Sequence, residues 1–221
     1  MKIISVSDTH IPFTAKEYLD FVSYTVQNAD LVIRNGDSVD RARCTIEDIL
    51  NTKIGKELLE AENELIKKSN IVYIAGNHDP DIGETIYRLL GKRVRSTKKF
   101  EIYGIEFTHG HRFDPINAYL PWRIIKHIAP IFFKTPSEWK KKNRKKWHKD
   151  IGMIYSNVID YLEKYRDIRM KVIGHTHYPS ITKLETGQTL ADSGDFWDSL
   201  SWLEIDTKTM IVKMKNWRKH E

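Results

Sequence analysis

The sequence predicts an α/β fold in which two packed sheets lie between layers of helices. In residues 2–90, short apolar runs rich in β-branched side chains alternate with helical patterns, which is typical of βαβ units. After residue 170 the apolar runs are short and closely spaced, which indicates antiparallel strands. No repeat, low-complexity segment or linker divides the chain, so we expect one domain over residues 1–221.

The elements of the first half follow from the spacing of their apolar residues. The predicted strands span residues 2–6, 31–34 and 71–75. The predicted helices span about 18–26, 45–68 and 83–90. Thr14 is the expected N-cap of the first helix, with Glu17 as its capping-box partner. Gly55 is the expected break in the second helix.

The second half begins with a predicted hairpin over residues 100–107, because apolar residues alternate on both sides of Tyr103-Gly104. Residues 112–150 are rich in Trp, Phe, Pro and Lys and are predicted to form a helical insertion in the domain. Beyond it, we expect a helix at 151–166 and strands at 170–173, 180–184, 189–191, 200–205 and 210–217.

The composition is typical of a soluble globular protein, with 40% hydrophobic and 30% charged residues among 221. Cys44 is the single cysteine, so no internal disulfide can form, and we expect a cytoplasmic location. No apolar stretch reaches the roughly 18 residues that a membrane span needs, and no apolar signal region opens the chain. The net charge of +6 favours anionic partners such as phosphate esters, nucleic acid or an anionic membrane surface.

Five polar loops, each directly after a predicted strand, carry residue types that bind metals. They are Ser7-Asp8-Thr9-His10, Asn35-Gly36-Asp37-Ser38-Val39-Asp40, Gly76-Asn77-His78-Asp79, Thr108-His109-Gly110-His111 and Gly174-His175-Thr176-His177. A His-x-His pair alone is weak evidence for a metal. Five such loops in order can converge on one site at the strand ends.

The candidate ligands offer oxygen and nitrogen but no thiolate. They are the carboxylates Asp8 and Asp37, the amide Asn77 and the imidazoles His10, His109, His175 and His177. This set suits Mn²⁺, Fe, Zn²⁺ or Ni²⁺, with Mn²⁺ as the first expectation. It is too large for one catalytic ion with an open position, and it fits two divalent ions that share a carboxylate. Two such ions, about 3.5–4 Å apart, would activate a bridging water for in-line attack on a phosphate ester.

His78 is not needed to fill this set and is the candidate acid that protonates the leaving alkoxide. That role needs an orienting carboxylate, which either Asp40 or Asp79 could supply. A buried, hydrogen-bonded histidine is the structural alternative for His78. His111 is predicted to line the pocket and contact substrate rather than to bind metal.

The ordered motifs resemble those of the calcineurin-like metallophosphoesterases over residues 8–177. The matching motifs are Asp8-x-His10, Gly36-Asp37-x-x-Asp40, Gly76-Asn77-His78-Asp79, His109 and Gly174-His175-x-His177. The resemblance implies a four-layer α-β-β-α sandwich of two mixed sheets. It implies a first metal held by Asp8, His10, Asp37 and His177, and a second held by Asp37, Asn77, His109 and His175. It also implies that Asp40 orients His78, and Arg41 resembles an arginine that contacts the substrate phosphate in the Ser/Thr phosphatase branch.

A second resemblance concerns Ser193-Gly194-Asp195-Phe196-Trp197, which is similar to a segment near the end of UDP-2,3-diacylglucosamine hydrolases. Those enzymes also carry a helical insertion before the final histidine pair, where it helps to receive a lipid substrate. This chain differs from them in having Asp192 near their usual Asn, and His111 where many have Asp.

Residues 137–149 combine aromatic and basic side chains. Trp139, Asn143 and Trp147 recur every four residues and would share one stripe of a helix, while Lys and Arg cover much of the remainder. Such a helix could lie on an anionic membrane as a peripheral contact, steer a phosphate-rich substrate, or stack on nucleic acid. A solvated basic face with packed tryptophans is the structural alternative.

The sequence therefore predicts a dinuclear metal-dependent phosphoesterase that hydrolyses a phosphodiester, pyrophosphate or phosphomonoester bond. One alternative is a nuclease or nucleotide phosphodiesterase that uses the basic insertion. Another is a non-catalytic binding scaffold, like the retromer subunit that kept this fold. The scaffold hypothesis predicts missing ligands, and none of the candidate ligands is missing.

Overall fold

A computed structural model describes residues 1–115 and 144–219 of the chain. The strands are β1 (Lys2–Val6), β2 (Leu31–Asn35), β3 (Ile71–Ile74), β4 (Arg95–Thr97), β5 (Phe100–Ile102), β6 (Ile105–Phe107), β7 (Met170–Ile173), β8 (Ser180–Lys183), β9 (Thr189–Asp192), β10 (Ser201–Asp206) and β11 (Ile211–Asn216). The helices are α1 (Tyr18–Asn28), α2 (Ile46–Asn51), α3 (Lys53–Lys68), α4 (Ile82–Leu90) and α5 (Arg144–Lys164). Two 3-10 helices lie at His111–Phe113 and Trp217–Lys219.

The strands form two mixed sheets, which confirms the predicted fold class. The first sheet has the order β11-β10-β1-β2-β3-β4, with parallel pairing from β1 to β4 and antiparallel pairing of β10 with β1 and β11. The second has the order β5-β6-β7-β9-β8, with β6, β7 and β9 parallel to one another. Tyr103 and Gly104 form the turn between β5 and β6, as predicted.

Alternation of side chains along the strands divides the core into layers. On β1, Ile3 faces the second sheet and packs in one cluster with Phe107 and Val172, while Ile4 packs with Phe21 of α1 on the opposite face. Helix α5 covers the outer face of the second sheet, where its apolar residues contact Ile173 and Leu190. The molecule is thus layered helix, sheet, sheet, helix, which confirms the four-layer prediction.

Two details of the helices differ from the sequence prediction. The helix predicted over 45–68 is interrupted at Thr52, whose hydroxyl accepts a hydrogen bond from the Gly55 amide at 3.0 Å and caps α3. The expected break at Gly55 was wrong, because that residue lies in the first turn of α3. The expected Thr14 cap was also wrong: its hydroxyl donates to the Phe196 carbonyl at 2.9 Å, and α1 begins at Tyr18 without a side-chain cap.

Most of the predicted insertion at 112–150 lies outside the described residues, including Trp139 and most of the basic segment at 137–149. Helix α5 begins at Arg144, within the predicted insertion, and ends at Lys164, two residues before the end of the helix predicted at 151–166. Among the described residues, no helix combines the length and apolar character needed to cross a membrane.

Candidate metal centre

The five polar loops follow β1, β2, β3, β6 and β7, at the carboxyl ends of these strands, as the sequence predicted. The first two loops are joined by backbone hydrogen bonds from His10 N to Asp37 O at 2.9 Å and from Asp8 N to Gly36 O at 3.1 Å. In the second sheet, Gly174 N donates to His109 O at 2.9 Å. Backbone pairing within each sheet therefore holds neighbouring loops together before any side chain contributes.

Asp8 lies at the centre of one group of donor atoms. Its Oδ1 is 3.2 Å from Nε2 of His177 and 3.7 Å from Nε2 of His10. The rings of His10 and His177 are nearly parallel, with their centroids 5.4 Å apart. Ligand atoms of these three residues lie within 4.8 Å of one another, which is the spacing of donors around a single ion.

Asp37 lies between this group and a second one. Its Oδ2 is 3.3 Å from Nε2 of His109 and 3.9 Å from Nε2 of His10. The Oδ1 of Asn77 is 3.1 Å from the same His109 nitrogen. Asp37 thus lies close to a nitrogen of each group, and it shares the His109 group with Asp8. The family resemblance assigns the bridging position to Asp37.

His175 joins the second group from β7. Its ring centroid is 5.2 Å from that of His109, its backbone amide donates to Oδ2 of Asp8 at 2.9 Å, and its Nε2 lies 3.0 Å from Oδ2 of Asp114. The structure therefore brings all the predicted ligands to one place.

The backbone at this place adopts an uncommon conformation. Five of the predicted ligands have a positive φ between 48° and 71°: Asp8, His10, Asp37, His175 and His177. Non-glycine residues rarely adopt this left-handed region, and such residues cluster at functional sites. The turns aim these side chains back across the strand ends toward one another.

Two motif glycines make this convergence possible. A Cβ at Gly76 would lie 2.0 Å from Oδ1 of Asp37, and a Cβ at Gly174 would lie 1.8 Å from Oγ of Ser7 and 2.8 Å from Oδ2 of Asp8. No real Cβ can approach so closely. Glycine is therefore required at Gly76 by the packed Asp37, and at Gly174 by the packed side chains of Ser7 and Asp8.

The site is buried and rich in carboxylates. Asp8, Asp37 and Asp40 are each at most 2% exposed. Burial would raise the pKa of Asp8, but the charges of His177 and His109 outweigh it and hold that pKa below its usual value. Burial would lower the pKa of His10, but the nearby carboxylates of Asp40 and Asp8 raise it to about 10.

These features fit divalent cations. Within the described residues, Oδ1 of Asp8 and Nε2 of His10 are buried and make no hydrogen bond. Buried polar atoms without a hydrogen-bond partner are costly unless something else binds them. An oxygen and a nitrogen aimed at the same space, beside further carboxylate and imidazole donors, satisfy the chemistry of Mn²⁺, Fe or Zn²⁺.

His78 lies at the edge of the cluster. Its Nδ1 is 3.0 Å from Oδ1 of Asp40, its backbone amide donates to Oδ1 of Asp37 at 2.8 Å, and its side chain is 20% exposed. Asp40 rather than Asp79 therefore contacts the imidazole.

Asp79 instead anchors the loops. Its buried carboxylate accepts hydrogen bonds from the amides of Gly76, Asp37, Ser38 and Val39 at 2.7 to 3.1 Å. Burial and the neighbouring charge of Asp37 raise the pKa of Asp79 to about 7.

A protein-family model for calcineurin-like phosphoesterases matches residues 1–179, which is most of the chain and includes every predicted ligand. The chain belongs to the calcineurin-like phosphoesterase family. Among curated relatives, a UDP-2,3-diacylglucosamine hydrolase from Shewanella baltica is 22% identical over 94% of this chain and 95% of that protein. One of the same name from Pseudomonas fluorescens is 23% identical over 92% of each chain.

Comparison with solved structures gives matches that cover nearly the whole chain. Wild-type Vps29 from Entamoeba histolytica, determined with zinc, gives a TM-score of 0.46 at 14% identity over 97% of both chains. A hypothetical protein from Pyrococcus horikoshii gives a TM-score of 0.49 at 13% identity over 97% of this chain and 87% of that chain.

In this member of the calcineurin-like phosphoesterase family, the two predicted substrate contacts, Arg41 and His111, are both partly buried. Arg41 donates from Nη1 to the Cys44 carbonyl at 2.7 Å. The His111 ring is 5.5 Å from that of His109, and burial together with the charges of His109 and His175 lowers its pKa to about 3. These contacts do not test whether Arg41 and His111 contact substrate, so that role stays a prediction for both residues.

Sequence reasoning missed Arg43, which contacts the carboxylate of Asp40. Its Nε donates to Oδ2 of Asp40 at 2.7 Å, and its guanidinium lies 4.7 Å from the Phe13 ring and 4.9 Å from the Trp197 ring. The signal was the spacing of three residues from Asp40, which a turn brings together. Asp114 was also missed, because its contact with His175 spans 61 residues of sequence.

Proposed function

We propose that this chain is a dinuclear metal-dependent phosphoesterase that hydrolyses a phosphodiester, pyrophosphate or phosphomonoester bond. The observation that carries the proposal is a buried cluster of carboxylates and imidazoles at the strand ends, in which Oδ2 of Asp37 lies 3.3 Å from Nε2 of His109 and 3.9 Å from Nε2 of His10. A carboxylate shared by two donor groups is the arrangement that two adjacent ions require.

The ligand assignment that we propose is the one that the family resemblance implies. Asp8, His10, Asp37 and His177 would hold one ion; Asp37, Asn77, His109 and His175 would hold the other. When bound, two divalent ions supply Lewis-acid polarisation of the phosphate and acidify a water that attacks it. Mn²⁺ is the expected metal, with Fe, Zn²⁺ and Ni²⁺ as the alternatives that the donor set allows.

His78 is proposed to move the proton that the leaving group needs. The Asp40 contact at Nδ1 fixes the orientation of the ring, so that Nε2 is the nitrogen directed toward the site, 3.9 Å from Oδ2 of Asp37. A proton held at this Nε2 would be delivered to the departing alkoxide oxygen. The partial exposure of His78 supports this role, because the group must reach a substrate that enters from solvent.

The curated relatives support a hydrolase. Proteins named for the hydrolysis of UDP-2,3-diacylglucosamine match more than nine-tenths of the chain. Their names place a nucleotide-linked lipid sugar among the substrates to be tried for this chain.

The first test is turnover of generic substrates. Metal-stripped protein reloaded with Mn²⁺ should hydrolyse bis(p-nitrophenyl) phosphate or p-nitrophenyl phosphate, and a chelator should abolish the activity. Glu64→Ala, a change of an exposed carboxylate on α3, is the control and should leave turnover unchanged. Absence of turnover with either ester and with UDP-linked sugars would contradict the proposal.

The nuclease or nucleotide phosphodiesterase alternative depends on the basic segment at 137–149. Salt-sensitive binding of DNA or RNA would support it, whereas binding to anionic liposomes would support a peripheral membrane contact. Nucleic acid and an anionic membrane stay predicted partners. The cytoplasmic location and the single domain with its insertion at 112–150 stay predictions as well.

A further inference from the structure

A buried ion pair lies beneath the loops that carry the predicted ligands. Arg34 on β2 and Glu62 on α3 are both fully buried, and Nε of Arg34 is 3.2 Å from Oε1 of Glu62. The hydroxyls of Tyr18 and Tyr73 donate to the same Glu62 carboxylate. The pair belongs to the core between the first sheet and its helices, and the proposed chemistry uses neither residue.

A hydrogen-bonded chain leads from this pair to both of the first two loops. Nη2 of Arg34 donates to Oγ1 of Thr9 at 2.7 Å, and Oγ1 of Thr9 donates to the Ser38 carbonyl at 3.0 Å. Thr9 lies between Asp8 and His10, and Ser38 directly follows Asp37. One hydroxyl therefore joins the loop that carries two predicted ligands to the loop that carries the predicted bridging ligand.

The contacts of the Arg34 guanidinium indicate why an arginine occupies this position. Among the described residues, its Nη1 and Nε make no hydrogen bond, and Nη2 donates to Thr9. A buried ion pair is often no more stabilising than apolar residues of the same volume. Core packing alone therefore does not explain an arginine at position 34. The hydrogen bond that its guanidinium donates to the Thr9 hydroxyl does explain it.

The loops need such support. Asp8, His10 and Asp37 have φ values of 53°, 48° and 49°, which the backbone leaves readily unless its surroundings hold it. The carboxylates of Asp8 and Asp37 also repel each other at close range. A rigid link between the residues next to them keeps the donors at a fixed separation.

We propose that Arg34 and Thr9 are positioning residues that set the relative placement of the first two ligand loops, and so the affinity of the site for divalent metal. This inference rests on the proposed function. The buried Arg34 guanidinium would thus affect metal binding through Thr9, without contacting a predicted ligand itself.

The test measures Mn²⁺ binding by calorimetry on the metal-free full chain. Thr9→Val keeps the side-chain shape but removes the hydroxyl, and should weaken Mn²⁺ binding roughly 10- to 100-fold, as outer-shell changes at metal sites do. Thr9→Ser restores the hydroxyl and should restore wild-type affinity. Tyr73→Phe is the matched control, because it removes a hydrogen bond to Glu62 without touching Thr9.

A second variant covers the case in which Thr9→Val does not fold. Arg34→Lys keeps a cation beside Glu62 but withdraws the Nη2 donor, and should weaken Mn²⁺ binding in the same range. Unchanged affinity in Thr9→Val or Arg34→Lys, or equal weakening in Tyr73→Phe, would overturn the inference while the proposed function stands. Wild-type protein that binds none of Mn²⁺, Fe²⁺, Zn²⁺ and Ni²⁺ would overturn both.

Discussion

The imidazole of His78 and the carboxylate of Asp40 form a hydrogen-bonded pair, with Nδ1 and Oδ1 3.0 Å apart. The other oxygen of Asp40 accepts a hydrogen bond from Nε of Arg43 and lies 3.2 Å from Nδ1 of His10. One buried carboxylate thus orients a predicted metal ligand and the predicted proton donor together. The geometry ties the position of His78 to that of the predicted ligand His10 through Asp40.

Replacement of His78 by Ala should separate turnover from metal binding. Because His78 touches the site only at its edge, metal content should equal that of the wild type, measured by mass spectrometry of the metal-loaded protein. Loss of the proton donor should lower kcat by about 10²- to 10⁴-fold, most severely with poor leaving groups. A uniform fall in rate across leaving groups would argue against a proton-transfer role.

Two arginines near Asp40 should respond differently to replacement. Arg41→Ala should raise KM, if the predicted contact with the substrate phosphate is correct. Arg43→Ala should instead lower kcat, because it frees the Asp40 carboxylate that orients His78. Steady-state kinetics of the two variants measure the difference, and an unchanged KM in Arg41→Ala would remove that residue from the substrate contacts.

Gly76→Ala should damage the metal centre through a single added carbon. Its Cβ would meet Oδ1 of Asp37 at 2.0 Å, so the proposed bridging carboxylate must move, and Mn²⁺ affinity should fall at least tenfold. The matched control is Gly152→Ala on α5, where nothing lies within 4 Å and alanine favours the helix by about 0.5–1 kcal/mol. Equal Mn²⁺ affinity in the two variants would contradict the argument from close approach.

The buried pair of Glu106 and Lys171 should make the free energy of unfolding depend on pH in the acid range. Burial would raise the pKa of Glu106, but the charge of Lys171 and its hydrogen bond lower it to about 2 from 4.5. The unfolded chain therefore takes up a proton before the folded one. The stabilisation from ionised Glu106 is complete above pH 4.5 and is lost as the pH falls toward 2.

Glu106→Gln tests this pH dependence by urea unfolding. At pH 7 it should lower the free energy of unfolding by about 3 kcal/mol, because it leaves Lys171 without its carboxylate partner. The difference in the free energy of unfolding between Glu106→Gln and the wild type should become smaller as the pH falls below 4.5. Glu64→Gln, an exposed carboxylate, should show little difference at any pH. A constant difference across the acid range would refute the assignment to Glu106 ionisation.

The candidate ligands could be predicted because local sequence determines their placement. Asp8, Asp37 and His109 each directly follow an apolar strand, and strand ends bring loops together without reference to distant sequence. The hydrogen bond between Thr9 and Arg34 could not be predicted, because it joins the loop after β1 to strand β2 and no local pattern signals it.

The same distinction applies to the fold. Strand β4 was not predicted, since its three residues, Arg95–Thr97, form no apolar run and become a strand by pairing with β3. The helix break lies at Thr52 and not at Gly55, because the Thr52 hydroxyl caps the start of α3. The low helix propensity of glycine does not set the position of the break. In both cases a contact with a neighbouring segment outweighed the intrinsic preference of the residues.

The number of metal ions per chain tests the central proposal most directly. Metal-free protein titrated with Mn²⁺, with bound metal counted by mass spectrometry, should bind two ions per chain, and Asp37→Ala should lose both because Asp37 lies between the two donor groups. Binding of one ion or none by the wild type, or two by Asp37→Ala, would contradict a dinuclear centre bridged by this carboxylate.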